Sequence, residues 1–292
     1  MRQLSFLTPS PRINKAVNVS SVPQRSPFRY PGGKTWLVPT IRLWMSQYDS
    51  PPKEFIEPFA GGAIIGLTVA MEGWARHVVL VELDDGVAAV WETILGGGAT
   101  WLAEQIVAFD PTPENVDALL QQKAGSREQL AFQTIVRNRV SHGGIMAPGA
   151  GRIKHGENGR GLRSRWYPQT LKKRILQIAS YKDKITFIHG DGLAVMEQYL
   201  AQPNTVFFLD PPYTVAGKKA GRRLYTHHHI DHEHLFELAA RTDDFLMTYD
   251  HCPAVIAMAR KHHFEFQAIP MQTTHHRQIY ELLIAKDLGW LR

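Results

Sequence analysis

Four consecutive residues in the second half of the chain carry the most specific chemical signal. Asp210-Pro211-Pro212-Tyr213 directly follows an apolar, strand-like segment, Thr205 to Leu209. Two prolines stiffen the backbone and bring no amide hydrogens that compete for the neighbouring carbonyls. Asp210 and the Pro211 carbonyl can then accept both hydrogens of an exocyclic amino group, while Tyr213 offers a flat face to a planar base. Such a site draws the nitrogen lone pair out of conjugation, as attack on an electrophilic methyl group requires.

Two upstream motifs predict a cofactor crevice. Phe55-Ile56-Glu57-Pro58-Phe59-Ala60-Gly61-Gly62-Ala63 is typical of a strand that turns through glycines into a helix. In a doubly wound sheet this turn lies at the ligand crevice, and its small residues let a cofactor approach the backbone. The next strand ends at Glu82, followed by Asp84 and Asp85. An acid at that position is the usual acceptor for ribose hydroxyls.

A third motif, Phe28-Arg29-Tyr30-Pro31-Gly32-Gly33-Lys34-Thr35, contains a Gly-Lys-Thr triplet. A nucleotide-binding P-loop would need a glycine five residues before Gly33 and an apolar strand ahead of it. That position is Phe28, and no such strand precedes it. The motif therefore does not indicate a nucleotide triphosphatase.

Strand and helix patterns alternate around these motifs. Strands are predicted over 54–57, 77–82, 184–189, 205–209, 245–249, 264–269 and 279–284, and helices over 33–45, 62–71, 87–95, 192–200, 231–241 and 253–262. The alternation predicts an α/β fold, with a Rossmann-like, doubly wound, mostly parallel sheet and an antiparallel hairpin at its C-terminal end. Residues 1–25, which are rich in Pro and Ser, are predicted to form a disordered or extended arm.

Residues 98–181 interrupt the alternation and predict an inserted domain of helices and loops. Helical patterns near 100–109, 114–122 and 128–136 precede a glycine-rich loop from Ser141 to Trp166. A loop of this length in a compact domain is usually functional or disordered. The flanking segments, 26–97 and 182–292, would together form the catalytic domain.

Positive charge is concentrated in this insertion. The chain of 292 residues has a net charge of +6, from 33 Lys and Arg against 27 Asp and Glu. Between Arg137 and Arg174 there are ten basic residues and one acid, Glu157, so that this segment carries +9 and the rest of the chain −3. Lys218, Lys219, Arg222 and Arg223 form a second basic cluster. Basic runs are often only solvated surface, but basic residues interleaved with Gly and aromatic residues are typical of surfaces that track phosphates.

Other features exclude several classes of protein. The single cysteine, Cys252, excludes a disulfide scaffold and a multi-cysteine metal site. No apolar run reaches the roughly 18 residues of a membrane span, and we expect a cytoplasmic protein without a signal peptide. The histidine-rich stretch from His227 to His234 places His228 and His232 at metal-ligand spacing. We interpret it as a polar loop that leads into a helix capped near Asp231, and expect no metal.

In their order and spacing, these motifs resemble those of the Dam-type (class alpha) DNA adenine-N6 methyltransferases. The resemblance rests on Tyr30 to Lys34, Phe55 to Gly61, the strand end at Glu82, and Asp210 to Tyr213, and it extends from Pro27 to Ile284. The insertion stands in the place of that family's target-recognition domain.

The resemblance implies a site-specific enzyme that transfers a methyl group from S-adenosylmethionine to an adenine flipped out of duplex DNA. It implies catalytic roles for Asp210, Pro211, Pro212 and Tyr213. It implies cofactor binding by Tyr30, Lys34, Glu57, Phe59, Gly61, Glu82, Asp191 and Asp210. Tyr249, Arg277 and Glu281 match the strands that line the target-base pocket. With the basic clusters, it predicts DNA binding by Lys34, Arg137, Asn138, Arg139, Arg152, Lys154, Arg160, Arg163, Arg165, Lys218, Lys219, Arg222 and Arg223.

Two departures from the family pattern and several alternatives remain. Ala63 stands where many relatives have a glycine, and Glu82 replaces an aspartate, which requires a longer reach. The same geometry would serve cytosine-N4 methylation, although such relatives more often have Ser at the position of Asp210. Methylation of RNA or of a protein amide, and a catalytically inactive DNA-binding module, are further alternatives.

The expected partner is double-stranded DNA, in a bacterial or phage-infected cell, with no membrane association. A cognate restriction endonuclease would act separately, and the protein is expected to be a monomer in solution.

Overall fold

The computed structural model describes residues 17–147, 149–215, 227, 229–272 and 278–291. Within these ranges the centre is a seven-stranded sheet. Its strands are β1 (Glu54–Glu57), β2 (His77–Glu82), β3 (Ile185–His189), β4 (Thr205–Leu209), β5 (Asp244–Asp250), β6 (Glu265–Gln272) and β7 (Gln278–Ala285). The order is β3-β2-β1-β4-β5-β7-β6, with β1 to β5 parallel and β7 antiparallel to both of its neighbours. This confirms the predicted Rossmann-like sheet and its antiparallel hairpin.

Helices cover both faces of the sheet. The described residues form α1 (Val38–Met45), α2 (Ile64–Glu72), α3 (Asp85–Thr93), α4 (Ala99–Ala108), α5 (Pro113–Gln121), α6 (Arg127–Val140), α7 (Pro168–Ala179), α8 (Gly192–Tyr199), α9 (His232–Arg241) and α10 (Pro253–Lys261). Neighbouring strand residues enter opposite apolar layers: Phe55 joins the layer of α1 to α3, whereas Ile56 joins that of α8 to α10. Burial on both faces is the reason that the strands are continuous apolar runs.

The chain order reverses at the centre of the sheet. Strands β1, β2 and β3 succeed one another in one direction, and β4 and β5 succeed one another in the other. The connections that leave β1 and β4 therefore diverge at the carboxyl edge and leave a crevice, where doubly wound folds bind their ligands. Every parallel strand delivers its last residue to this edge.

Acidic residues start three of the helices at that edge. The Asp84 carboxylate accepts from the backbone amides of Gly86 and Val87 at the start of α3. Asp191 does the same for α8, and Asp231 for α9 as the sequence predicted. Each carboxylate satisfies amide hydrogens that have no partner within the helix. Helix α1 begins at Val38, later than predicted, because residues 35–37 form a 3-10 turn ahead of it.

The insertion contains one helix that the sequence reading missed. Helices α4, α5 and α6 match the three predicted patterns, but α7 was not predicted. Its buried residues Leu171, Ile175 and Ile178 recur at helical spacing between basic and polar residues. The insertion helices share one apolar cluster with α3. The domain boundaries at residues 98 and 181 stay a prediction.

In the described part of the long loop that follows α6, short 3-10 turns lie between residues 142 and 165, and an isolated antiparallel bridge pairs Ser141 with Arg152. The loop is anchored at its start by Gly144, whose φ of 76° lies in the left-handed region. A Cβ atom there would lie 1.9 Å from the carbonyl oxygen of Arg29. Leu162 and Trp166 are buried near the other end of the loop.

The described part of the N-terminal arm packs against the fold. Val22 is buried, and the Arg25 guanidinium pairs with Glu72 on α2 at 2.6 Å. Residues 17–25 of the predicted disordered or extended arm are therefore in contact with the fold. Residues 1–16 lie outside the described residues. No helix in the described ranges is long and apolar enough to cross a membrane.

Two residues predicted to contact DNA are interior residues. Asn138 and Arg139 are 0% and 4% exposed. The Asn138 amide accepts from the Arg29 backbone N–H at 2.9 Å and donates to the carbonyls of Arg29 and Gly144. The Arg139 guanidinium donates to the Pro27 carbonyl. The prediction that Asn138 and Arg139 contact DNA is therefore corrected. Their polar groups face the interior and hold the segment before Tyr30 against α6.

Replacing Asn138 should therefore destabilise the fold. Asn138→Ala leaves the polar backbone groups of Arg29 without partners in the interior, and we expect the free energy of unfolding to fall by about 3 kcal/mol. Urea unfolding followed by circular dichroism measures this. The control Asn115→Ala removes an exposed asparagine and should change the same quantity by only about 0.5 kcal/mol. Equal effects of the two substitutions would contradict the structural role of Asn138.

Candidate active site

A cavity of about 860 Å³ opens at the carboxyl edge of the sheet. Its volume lies within the range of small-molecule and cofactor sites. Its walls include every residue predicted to bind a cofactor, namely Tyr30, Lys34, Glu57, Phe59, Gly61, Glu82, Asp191 and Asp210. The structure therefore brings together motifs that are separated by up to 180 positions in the sequence.

The turn after β1 forms one wall of the cavity. Gly61 has a φ of 46°, and a Cβ atom there would lie 2.5 Å from the ring of Tyr30. Glycine at this position therefore allows Tyr30 to pack flat against the turn. Ala63 also adopts the left-handed conformation, with a φ of 49° at the start of α2. An L-residue pays about 1 kcal/mol for that conformation, so the departure from glycine at this position is tolerated.

The Glu82 carboxylate holds the glycine turn in place and can still accept a further hydrogen bond. Its Oε2 accepts from the Gly61 N–H at 2.9 Å, and its Oε1 accepts from the amides of Leu83 and Asp84. Each carboxylate oxygen has two lone pairs, so Oε2 can accept one more hydrogen bond. Burial raises the pKa of this carboxyl, and the amide hydrogen bonds act against that rise. The side chain thus couples the second strand to the glycine turn and can still bind a hydroxyl group.

The third strand contributes Asp191 to the same cavity. Next to it, Gly192 is pressed against the first strand's turn, since a Cβ atom would lie 2.3 Å from the Pro58 carbonyl oxygen. This close approach holds the start of α8 beside Phe59. Asp191 therefore cannot shift away from the cavity without moving α8.

Glu57 is an acid in an apolar layer under the cavity. It is 3% exposed, and its Oε2 accepts from the Gly66 N–H at 2.7 Å. Burial raises the pKa of Glu57 to about 8, with the Asp210 charge adding to the rise and Lys34 opposing it. Glu57 is consequently protonated over much of the neutral range.

Asp210 is the centre of a polar cluster at the end of β4. Its Oδ1 accepts from three donors: Lys34 Nζ at 2.9 Å, the Thr248 hydroxyl at 2.8 Å and the Tyr213 hydroxyl at 3.0 Å. Among the described residues no donor contacts Oδ2. One oxygen therefore holds the carboxylate in place, and the other can accept from a ligand in the cavity.

Lys34 and Glu281 complete this cluster. Lys34 is 3% exposed, donates to the Gly32 carbonyl at 2.7 Å and lies 3.7 Å from Glu281 Oε2. Lys34 was predicted to contact DNA. This prediction is corrected, because the side chain is buried against two carboxylates and pairs with Asp210. Thr248 and Glu281 were absent from the predicted catalytic set. Their signal was a polar residue inside an otherwise apolar strand, on β5 and β7, at the same edge of the sheet as Asp210.

The Tyr213 ring is fixed from one side. It stacks on Tyr249 with ring centroids 5.5 Å apart, and its hydroxyl lies within hydrogen-bond distance of Asp210 Oδ1, at 3.0 Å, and of Glu281 Oε2, at 3.1 Å, which share its one hydrogen. Burial, then the charges of Asp210 and Glu281, raises the pKa of Tyr213 well above its usual range. The hydroxyl therefore remains protonated at neutral pH. Tyr249 covers one face of the ring, and Lys34 Nζ lies over the ring at 5.1 Å from its centroid.

His232 supports Tyr249 from behind. The two imidazole nitrogens lie 2.7 Å from the Tyr249 hydroxyl and 3.0 Å from the Thr214 hydroxyl. Burial lowers the pKa of His232. In the described part of the chain, no group of three or more His, Cys, Asp or Glu side chains is arranged to hold a metal. His228 lies outside the described residues.

The remaining residues predicted to contact DNA fall into three groups. Exposed positions of the insertion are occupied by Arg137, Arg152, Lys154, Arg160 and Arg163. Arg152 and Arg163 pair with Asp117 and Asp110, and Arg165 pairs with Glu157. Lys218, Lys219, Arg222, Arg223 and also Arg277 lie outside the described residues. Five of the basic residues predicted to contact DNA are therefore exposed on the surface of the insertion.

The raised pKa of Glu57 predicts a pH-dependent stability. Because the folded state binds this proton more tightly than the unfolded state, the stabilisation is complete below the ordinary pKa and is lost as the pH rises to about 8. Glu57→Gln keeps an acceptor for Gly66 and removes the titration. We subtract the melting temperature of the wild type from that of the variant. This difference should be more positive at about pH 8.5 than at about pH 5.5, because only the wild type then carries a buried charge.

Differential scanning fluorimetry measures this difference. Glu104→Gln, an exposed position on α4, is the matched control and should show no such trend. A Glu57→Gln effect that is the same at both pH values would contradict the buried titration.

Two solved structures are similar to this chain, each with a low sequence identity and a low TM-score. A candidate RNA methyltransferase of Pyrococcus horikoshii is 14% identical, with a TM-score of 0.36, over 88% of this chain and 84% of that chain. The rRNA methyltransferase AviRa of Streptomyces viridochromogenes is 11% identical, with a TM-score of 0.39, over 90% of this chain and 88% of that chain. The sequence matches no protein-family model and no curated protein. The function of the chain therefore has to be inferred from its own side chains.

Proposed function

We propose that the protein is a site-specific DNA methyltransferase that transfers a methyl group from S-adenosylmethionine to N6 of adenine in duplex DNA. One observation carries this proposal. The Asp-Pro-Pro-Tyr segment directly follows β4, its residues Asp210 and Pro212 line the cavity that the predicted cofactor residues surround, and Asp210 Oδ2 has no donor among the described residues. A single cavity thus offers an acceptor for an amino group beside a crevice suited to a nucleoside.

The donor set of the cavity fits S-adenosylmethionine. Glu82 Oε2 has an acceptor site left for a ribose hydroxyl, and Asp191 and Asp210 add negative charge beside it. The glycine turn after β1 lets a ligand approach the backbone closely. When bound, the cofactor supplies a methyl group on a positively charged sulfur, and an acidic cavity stabilises that charge.

Asp210 would orient the attacking nitrogen. Its Oδ2, together with the carbonyl of Pro211, would accept the two hydrogens of the adenine amino group, which would direct the lone pair toward the methyl group. Lys34, Thr248 and Tyr213 hold Oδ1, so the carboxylate cannot rotate away from this position. The protein therefore contributes orientation and charge rather than a covalent intermediate.

Tyr213 would stack on the flipped adenine. Tyr249 already covers one face of its ring, and the contact of its hydroxyl with Glu281 fixes the tilt. A base taken out of the duplex loses its stacking partners, and an aromatic side chain replaces them. The exposed basic residues of the insertion would grip phosphates and read guanine edges in the major groove.

Replacing Asp210 tests the proposed chemistry. Asp210→Ala removes the acceptor for the amino group, and we expect transfer of tritiated methyl groups to mixed-sequence duplex DNA to fall at least about 10²-fold. DNA binding, measured by fluorescence anisotropy, should be largely retained. Asp243→Ala, at an exposed position, is the control and should leave transfer unchanged. Full activity of Asp210→Ala would refute the mechanism.

The product identifies the target base. Expression in a methylation-free host, followed by single-molecule sequencing, should show modified adenines within one sequence motif. Modified cytosines alone would establish cytosine-N4 methylation instead. Salt-sensitive DNA binding by the wild type without any label incorporation would indicate an inactive DNA-binding module.

A further inference from the structure

Four arginines from four segments of the chain lie near one another beside the cavity; we call them the arginine cluster. They are Arg29 ahead of the Gly-Gly-Lys motif, Arg139 on α6, Arg165 at the end of the glycine-rich loop and Arg174 on α7. Arg29 and Arg174 line the same cavity as Asp210. Arg139 and Arg174 both donate to carbonyls of residues 26 and 27, which brings them under the segment that carries Arg29.

The positive charges in this cluster act on one another. Burial lowers the pKa of Arg29, and the charge of Arg165 lowers it further. Burial likewise lowers the pKa of Arg139 to about 9, and Arg174 and Arg29 add to that effect. The charge of Glu157 acts against the lowering of the Arg29 pKa, and Tyr167 does so for Arg29 and Arg139; the Glu157 carboxylate pairs with Arg165. Four guanidinium groups with one exposed acid leave a local excess of positive charge.

Two buried nitrogens in the cluster have no hydrogen-bond partner among the described residues. They are Nη1 of Arg29 and Nε of Arg139, and the Arg139 residue is only 4% exposed. A buried charge without a full set of partners costs several kcal/mol, and a guanidinium cannot relieve that cost by losing its proton. A protein accepts such a cost where a ligand supplies the missing charge.

We propose that Arg29 and Arg174, the two members of the arginine cluster that line the cavity, bind a phosphodiester group of the DNA strand that enters it. A phosphate offers negative charge and several acceptor oxygens, which the planar fork of an arginine matches with two parallel hydrogen bonds. Because Arg29 and Arg174 share the cavity wall with Asp210, the bound phosphate belongs to the strand near the flipped nucleotide. The inference rests on the proposed function. It adds to that function a phosphate site that includes Arg29, which lies outside the basic run from Arg137 to Arg174.

A purely structural role for Arg29 makes a different prediction. The hydrogen bonds that hold its backbone run to Asn138 and do not involve its side chain. Neutralising the guanidinium should therefore leave the melting temperature unchanged or raise it, because unpaired like charges are removed. An arginine that served only the fold would lower the melting temperature when replaced.

The test compares Arg29→Gln and Arg174→Gln with the wild type in binding to a mixed-sequence duplex DNA at about 50 to 200 mM NaCl. Each variant should lose one phosphate contact, which lowers the slope of log K against log salt by about 0.9. Arg76→Gln, an exposed arginine before β2 at the opposite edge of the sheet, is the matched control and should keep the wild-type slope. Affinity for S-adenosylmethionine alone, from calorimetry, should be unchanged in all three variants.

The outcomes separate this site from the proposed function. Wild-type slopes in both variants, with methyl transfer to DNA intact in the wild type, overturn the phosphate site and leave the proposed function standing. Weaker S-adenosylmethionine binding by Arg29→Gln assigns the cluster to the cofactor carboxylate and also overturns the site. If the wild type transfers no methyl group to DNA, the proposed function fails. In that case the slope of log K against log salt is measured for both variants with single-stranded RNA. A lowered slope assigns the phosphate site to RNA, and a wild-type slope overturns the site.

Discussion

The buried ion pair between Lys34 and Asp210 is the interaction on which the rest of the site depends. Their Nζ and Oδ1 atoms are 2.9 Å apart, and the Lys34 side chain is almost fully buried, so that its charge without Asp210 would be strongly unfavourable. The pair joins a segment near the N-terminus to the end of the fourth strand, 176 positions later. Glu281 adds the seventh strand to the same contact. The antiparallel strand between β5 and β6 therefore has a chemical as well as an architectural role.

This constraint explains why the motifs act as one unit. The Gly-Gly-Lys segment must reach Asp210, so it passes over the turn after β1, where Gly61 and Gly62 make room for Tyr30. The same segment is held from the other side by Asn138, which extends the constraint to the insertion. A shift in any of these elements would displace the acceptor oxygen of Asp210. The position of the Asp210 carboxylate thus depends on contacts from the first strand, the insertion and the last strand.

Much of this arrangement could be predicted from the sequence, because its signals are local. Apolar β-branched strands, the glycine turn and the acid at Glu82 each report on a few neighbouring residues, and all of them lie where the alternation of strands and helices predicted. Helix α7 was missed because its apolar stripe is narrow and its other residues are basic or polar. The roles of Lys34, Asn138 and Arg139 could not be predicted, because the partners that bury them come from distant segments. A basic residue looks the same in sequence whether it faces DNA or a buried carbonyl.

The close approach of Gly144 to the Arg29 carbonyl has a consequence for how such a protein can diverge. No side chain is tolerated at that point, so the start of the loop is tied to the catalytic frame. Beyond it, Gly151 has open space where a side chain would stand and no left-handed φ. Surface-loop positions of this kind can change at little cost in stability. Gly144 thus separates a constrained part of the loop from positions that are free to vary.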